Sequence, residues 1–188
     1  MSSESVWFEQ VDEALIRFIK SHINIDGRAV KAVVRKPDED FKEEDYPLVS
    51  IYNLSDTFAR DRYSPEQVVV STDIERRVAV VEDSALPYDL SYQIDFWASK
   101  QSDMNSMTKQ WKLATGLWFN LDVFDESYNK RSCFVKSLKD FRKSDLMSSG
   151  KRLFHSFGTY KIWVELDERK STEVPIVVST PDINIVSQ

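Results

Sequence analysis

Residues 86–121, LPYDLSYQIDFWASKQSDMNSMTKQWKLATGLWFNL, decide the fold because they combine a strand pattern with a helix pattern. In the first half, apolar and polar residues alternate, which is typical of a strand with one buried face. Its apolar positions are Leu90, Tyr92, Ile94 and Phe96. In the second half, apolar residues recur every three or four positions, which predicts one face of a helix. That stripe consists of Met104, Met107, Trp111, Ala114 and Trp118.

Composition indicates a folded acidic domain. The chain has 188 residues, of which 41% are hydrophobic and 12% aromatic, enough for a sizeable core. Its net charge of −6 argues against a general nucleic-acid binder, which is usually basic. Cys133 is the only cysteine, so an intramolecular disulfide cannot form and a reducing compartment is favoured. No signal-peptide layout and no membrane-spanning apolar run occurs, so we expect no membrane partner.

Elements predicted on either side of the opening stretch complete an α+β pattern. A first helix is expected at about 6–23, and strands at about 29–35, 48–52, 68–72, 77–82, 132–141 and 153–166. The order helix, strands, helix, strands predicts an antiparallel or mixed sheet with two helices packed on one face. A projecting β-ribbon and an extended C-terminal arm are expected in addition.

We therefore expect a single α+β domain over residues 1–167, with 53–75 as a projecting loop or ribbon. Residues 168–188 are expected to form the arm, because they are β-branched and interrupted by Pro181. Such an arm can add to a sheet edge, either its own or a neighbour's.

Motifs for enzymatic chemistry are missing from the sequence. It contains neither G-x-G-x-x-G nor G-x-x-x-x-G-K-[ST], the glycine-rich loops that bind nucleotide phosphates. It also contains no C-x-x-C and no H-E-x-x-H. Asp89 and Asp95 lie roughly 20 Å apart along one strand, too far for one acid–base pair. A Cys133–His155 nucleophile pair would need a third, orienting group, and Cys133 is expected to be a core residue. We expect no catalytic residue, no metal site and no cofactor; a divergent metal-dependent nuclease is the enzymatic alternative.

Two clusters of opposite charge suggest contacts between copies of the chain. Residues 36–46 hold six acids and two lysines, whereas 136–152 hold six basic residues and two acids. The alternative is that both are ordinary solvated loops. A head-to-tail contact between such unlike patches closes into a ring when the rotation permits. The expected interface residues are Asp38, Glu39, Asp40, Glu43, Glu44, Asp45, Lys136, Lys139, Arg142 and Lys143.

A second basic group and two tryptophans carry further expectations. Arg60, Arg62, Arg76 and Arg77 flank the predicted strand 68–72. Trp97 and Trp163 fall on the polar sides of their strands. Each tryptophan is either covered by another segment of the chain or serves as an interface anchor, and the sequence leaves both open.

The segments YPLVSIYNL (46–54) and LPYDLSYQIDFWASKQSDMNSM (86–107) resemble the tail-terminator and neck (tail-completion) proteins of tailed bacteriophages. In that family, an N-terminal helix precedes a strand that follows a proline, and a later strand beginning Pro-Tyr-Asp-Leu runs directly into a helix. The resemblance covers residues 5–121 in the order of elements. It implies an α+β fold and a non-enzymatic structural role in the virion.

The resemblance also implies partners. We expect a ring, hexameric in this family, that ends the tail tube and joins it to the neck or head connector in a virion assembled in the host cytoplasm. Its partners would be other copies of itself, the tail tube protein and a neck or connector protein, with DNA at most passing through the lumen. The four arginines named above would face the tube, the connector or the lumen. The alternatives are another phage neck or head-completion adaptor, or a non-viral peptide-binding adaptor.

Overall fold

The computed structural model describes residues 8–34, 46–124, 130–148, 151–166 and 171–176. Its described helices are α1 (Phe8–His22) and α2 (Gln101–Thr115), and a short 3-10 turn (Arg60–Arg62) follows the fourth strand. The described strands are β1 (Asn24–Ile25), β2 (Arg28–Ala29), β3 (Lys31–Val34), β4 (Leu48–Phe58), β5 (Val68–Asp73), β6 (Val78–Glu82), β7 (Leu86–Ala98), β8 (Trp118–Phe124), β9 (Lys130–Lys143), β10 (Leu146–Ser148), β11 (Lys151–Leu166) and β12 (Ser171–Pro175).

The strands form one large sheet and two small ones. The large sheet has the order β3-β4-β7-β11-β9-β8, and β10 pairs with the first three residues of β11. Its pairs are antiparallel except β3–β4, which is parallel. β1 and β2 form a short hairpin, and β12, β6 and β5 form a three-stranded sheet in that order. The predicted α+β fold with a mixed sheet is therefore confirmed.

β7 occupies the middle of the large sheet, between β4 and β11, and its apolar side forms the centre of the core. The alternating residues from Leu90 to Ala98 are at most 3% exposed, so the strand predicted from their period is confirmed. Val11, Leu15 and Ile19 of α1 belong to the same core cluster, together with Met104, Met107 and Trp111 of α2. At about 1.5–3 kcal/mol for each large apolar side chain buried, this layer is the main source of stability.

Two tyrosines connect the sheet to the helices by hydrogen bonds. Tyr92 donates its hydroxyl to Asp12 of α1 at 2.7 Å, and Tyr160 accepts the indole N–H of Trp111 in α2 at 2.6 Å. Tyr92 and Tyr160 are directly opposite each other in β7 and β11, so their side chains lie on one face. Contacts from both helices thus reach the same face. Burial raises the pKa of Tyr160 to about 12, which keeps its hydroxyl protonated.

The pairing of Asp12 with Tyr92 predicts a dependence of stability on pH. Burial raises the pKa of Asp12 above its ordinary value, although the Tyr92 hydroxyl opposes the shift. A carboxyl with a raised folded-state pKa destabilises the fold as pH rises from its unfolded pKa through its folded one. Asp12→Asn should keep an acceptor for Tyr92 and remove the ionisable carboxyl. The free energy of unfolding, measured with urea between pH 4 and pH 7, should therefore decline less with rising pH than in the wild type. An unchanged pH profile would contradict the assignment.

The second helix ends earlier than the apolar stripe predicted. α2 stops at Thr115, Gly116 caps it with a positive φ of 57°, and Trp118 begins β8. The assignment of Trp118 to the buried helical stripe is therefore wrong, since its side chain is 60% exposed. Ala114, the stripe's fourth position, is half-buried, whereas Met104, Met107 and Trp111 are buried as expected. Gly116 is the physical reason, because only glycine adopts this backbone without strain.

The predicted hairpin at 68–82 forms, and the chain's own tail completes it as a three-stranded sheet. β12 pairs antiparallel with β6 from Ser171↔Glu82 to Pro175↔Val78. Within residues 171–176 the arm thus adds to an edge of its own chain. In the range 53–75, residues 53–58 continue β4 along β7, and 68–73 form β5. The rest of the arm, from residue 177 onward, lies outside the described residues.

Candidate interaction surface

The face of the large sheet opposite the helices carries a row of stacked aromatic side chains, which we call the aromatic row: Trp118, Phe134 and Trp163. These residues come from the adjacent strands β8, β9 and β11. Ring centroids lie 5.6 Å apart for Trp118–Phe134 and 4.7 Å apart for Phe134–Trp163. The Trp163 side chain is 37% exposed, so of its two predicted alternatives the covered one does not hold. Exposed aromatics of this kind are typical of interface anchors.

Arg62 closes the inner end of the aromatic row. Its guanidinium lies 5.4 Å from the Trp163 ring centroid, donates to a carboxylate oxygen of Asp89 and donates to the Tyr88 carbonyl at 3.1 Å. Lys161 donates to the other Asp89 oxygen at 2.9 Å. The carboxylate of Asp89 is thus shared by two cations, and Arg62 is held against the sheet.

A cavity of about 250 Å³ opens beside the aromatic row. It is lined by Arg62, Arg131, Ser132, Cys133, Phe134, Trp163 and Glu165. Two guanidinium groups and one carboxylate give it mixed charge. Burial raises the pKa of the Cys133 thiol to about 11, so this lining sulfur is protonated at neutral pH and is a weak nucleophile and metal ligand.

At the other end of the same face lies a buried polar cluster. Asp95 is fully buried and bonds to His155 Nε2 at 2.7 Å. The Gln93 side-chain amide nitrogen donates to both Asp95 carboxylate oxygens, at 3.0 and 3.1 Å. Trp97 stacks on His155 with 3.8 Å between ring centroids and donates its N–H to Ser50 at 3.1 Å. Of the two alternatives for Trp97, the covered one is therefore confirmed, at 4% exposure.

This cluster resembles a catalytic dyad in composition, but its geometry is structural. Ser50 bonds to Trp97, and His155 is only 8% exposed, so neither presents a reactive atom to solvent. Cys133 lies on β9 next to Phe134, which is opposite Trp163 of β11. Trp163 is eight strand residues, or roughly 25 Å, from His155, so Cys133 and His155 do not form a nucleophile pair. Asp89 and Asp95 bond to different partners, as their spacing predicted. Among the described residues, no group of three or more metal-ligating side chains comes together.

The predicted site residues fall on several different elements. Lys136, Arg142 and Lys143 are exposed on β9, and Lys139 lies in the same strand with its side chain outside the described part. Arg60 and Arg62 form the 3-10 turn after β4, whereas Arg76 and Arg77 lie in the turn between β5 and β6. The six acids, Asp38, Glu39, Asp40, Glu43, Glu44 and Asp45, lie outside the described residues.

Two members of the aromatic row, Trp118 and Phe134, were not predicted from the sequence as surface residues. Trp118 was assigned to a helix and Phe134 was not singled out, although Gly116 was an available signal for the end of the helix.

Neither described helix is long and apolar enough to cross a membrane.

Comparisons with known proteins give likenesses to solved structures and none to a family model or a curated protein. No protein-family model matches the sequence, and no curated protein matches it. Among solved structures, the chain is similar to the sheath/tube terminator of an extracellular contractile injection system, PVC, determined by cryo-EM in its extended state. The TM-score is 0.48 and the sequence identity 14%, over 97% of this chain. The chain spans 64% of that protein's length.

Proposed function

We propose that the chain is a structural subunit of a ring of six copies that ends a tail tube and joins it to the neck or head connector. The observation that supports this is the fate of the two segments that resemble phage tail-terminator and neck proteins. YPLVSIYNL leads into β4, which pairs antiparallel with β7, and β7 is followed almost directly by α2. The two short matches are therefore neighbours in one scaffold.

In this proposal the chain has no enzymatic activity and needs no cofactor. Its partners are other copies of itself, the tail tube protein and a neck or connector protein, with DNA at most passing through the lumen. It resides in the tail or neck of the virion and is assembled in the host cytoplasm. A tail-like contractile particle offers the same kind of tube end.

Charge sets the register between subunits in this proposal. The acids at 38–45 of one copy face Lys136, Lys139, Arg142 and Lys143 of the next. Exposed pairs of this kind steer association and fix orientation more than they add affinity. Arg60, Arg76 and Arg77 face the tube, the connector or the lumen. Arg62 belongs to the same group, although its bond to Asp89 makes it the most fixed of the four.

Reversing the charge of this basic strand should weaken ring formation. The triple change Lys139→Glu, Arg142→Glu and Lys143→Glu replaces attraction by repulsion toward the acids. Wild-type assembly should weaken as salt is raised, because exposed charges are screened, whereas residual assembly of the variant should improve. Mass measurement in solution across a salt series checks both. Reversal of Lys20, Arg28 and Lys100, exposed on other elements, is the matched control and should leave assembly unchanged.

The role itself is tested in the producing cell. Without this reading frame, tail tubes should form with uncontrolled length or remain unjoined to heads, as seen by electron microscopy. Particles with tubes of normal length, joined normally, would contradict the proposed function.

A further inference from the structure

Three large apolar side chains are exposed within a short stretch of chain where α2 leads into β8. We call Leu113, Leu117 and Trp118 the corner patch; their side chains are 78%, 80% and 60% exposed. The backbone N–H of Ser137 in β9 donates to the Leu117 carbonyl at 3.0 Å, and Trp118 is directly opposite Lys136. The patch is therefore fixed to the edge of the large sheet. Three large apolar groups exposed within six residues are typical of an interaction site.

A second exposed apolar cluster lies on the three-stranded sheet. We call Val69, Val70 and Ile74 the hairpin patch; they are 56%, 53% and 82% exposed. Val69 and Val70 belong to β5, which is the edge of that sheet, and Ile74 lies in the turn that follows. The corner patch and the hairpin patch thus occupy different sheets and share no strand.

The surroundings of the two patches carry opposite charge. Residues 105–118 contain two lysines, Lys109 and Lys112, and no acid, and Lys136 is added by the neighbouring strand. Residues 66–83 contain two arginines and five acids: Glu66, Asp73, Glu75, Glu82 and Asp83. Both patches are therefore apolar, and the charges around them are opposite in sign, as in the complementary rims of specific interfaces.

We propose that the hairpin patch of one copy docks on the corner patch of a second copy. The inference rests on the proposed ring. Because the two patches are unlike, the contact is head-to-tail, and each copy keeps one free patch of each kind for further neighbours. Such a contact closes into a ring if the rotation permits, whereas two like patches meeting would stop at a dimer. The two patches themselves contain none of the charged interface residues, although Lys136 borders the corner patch because it is directly opposite Trp118.

Two single variants and their mixture test the pairing. Leu117→Asp destroys the corner patch and Ile74→Asp destroys the hairpin patch, and each alone should weaken self-association by about 30-fold or more. Each variant retains the patch that the other lacks. An equimolar mixture should therefore form a one-to-one dimer through the one intact pair of patches and should not grow into a ring, because each further step needs a patch that one of the variants lacks. Sedimentation velocity or single-particle mass measurement separates monomer, dimer and ring.

Controls keep the result specific. Both side chains are exposed, so circular dichroism and the thermal midpoint should match the wild type. Leu54→Asp, an exposed leucine on β4 at 46%, is the matched control and should assemble normally. The pairing is overturned if the wild type is monomeric, if either variant assembles like the wild type, or if the mixture stays monomeric. Imaging of the particle judges the role at the tube end independently, since a ring at the tube end whose copies touch through other surfaces would overturn the pairing and leave that role intact.

Discussion

Replacing His155 by alanine is expected to lower the free energy of unfolding by about 3–5 kcal/mol. His155 lies 2.7 Å from the fully buried carboxylate of Asp95, and its ring stacks on Trp97. Removing the imidazole leaves that carboxylate with only the Gln93 amide and opens a void beside the indole. An unpaired buried charge is among the costliest defects that a single substitution can create.

Urea unfolding followed by tryptophan fluorescence measures this loss. His22→Ala is the matched control, because His22 is exposed and contacts mainly its own helix, so it should change stability by about 0.5 kcal/mol or less. Asp95→Asn combined with His155→Ala should cost less than the sum of the two single changes, since the pair acts as a unit. A loss below about 1 kcal/mol for His155→Ala would show that the pair contributes little.

Trp111→Ala is expected to be similarly damaging, with a loss of about 3–5 kcal/mol. Trp111 is fully buried on α2 and meets Phe18 and Phe119 edge-on, each at 5.8 Å between centroids. Its N–H also supplies the 2.6 Å bond to Tyr160. The substitution therefore empties a large volume where α1, α2 and the sheet meet, and it leaves a buried hydroxyl without its donor.

Trp118→Ala is the matched control for this change. The two tryptophans are seven residues apart and fit one helical stripe, but Trp118 lies beyond the end of α2 and is 60% exposed. Its replacement should cost about 0.5 kcal/mol or less when unfolding is measured at concentrations where the chain is monomeric. Equal losses for the two substitutions would mean that α2 continues through Trp118.

Local patterns predicted the centre of the fold. Apolar residues recur every second position in β7 and about every 3.6 positions in most of α2, and these periods predicted the two elements. The periods are regular because one face of each element packs on the core over many residues. The buried set from Leu90 to Ala98 needed no knowledge of distant partners. The order of elements then led to the α+β assignment, since each element must bury its apolar face against another.

Features that depend on distant partners were beyond the sequence. Asp95 lies on the polar side of the alternating pattern in β7, and only its pairing with His155, 60 positions away, explains its burial. β12 pairs with β6 at a separation of about ninety positions, and no local pattern records which edge a β-branched segment will join. The prediction for Trp118 was wrong for a different reason. The helical spacing of apolar residues continues past Gly116 by coincidence, whereas the helix ends at this glycine, which has a positive φ.

The candidate surface shows the same division. Composition identified a basic stretch at 136–152, and the fold places its described part on the end of β9, on β10 and on the start of β11. It did not identify the aromatic row, because Trp118, Phe134 and Trp163 meet only through strand register. Arg62 was grouped with other arginines by sequence, and its bond to Asp89 distinguishes it from them.

Imaging of the assembled particle tests the proposed role most directly. Cryo-electron microscopy of tails that contain this chain should show a closed ring of copies at the end of the tube, with the hairpin patch of each copy against the corner patch of the next. Particles in which the chain is absent, or in which it is attached as single copies away from the tube end, would contradict the role as a ring-forming tube terminator.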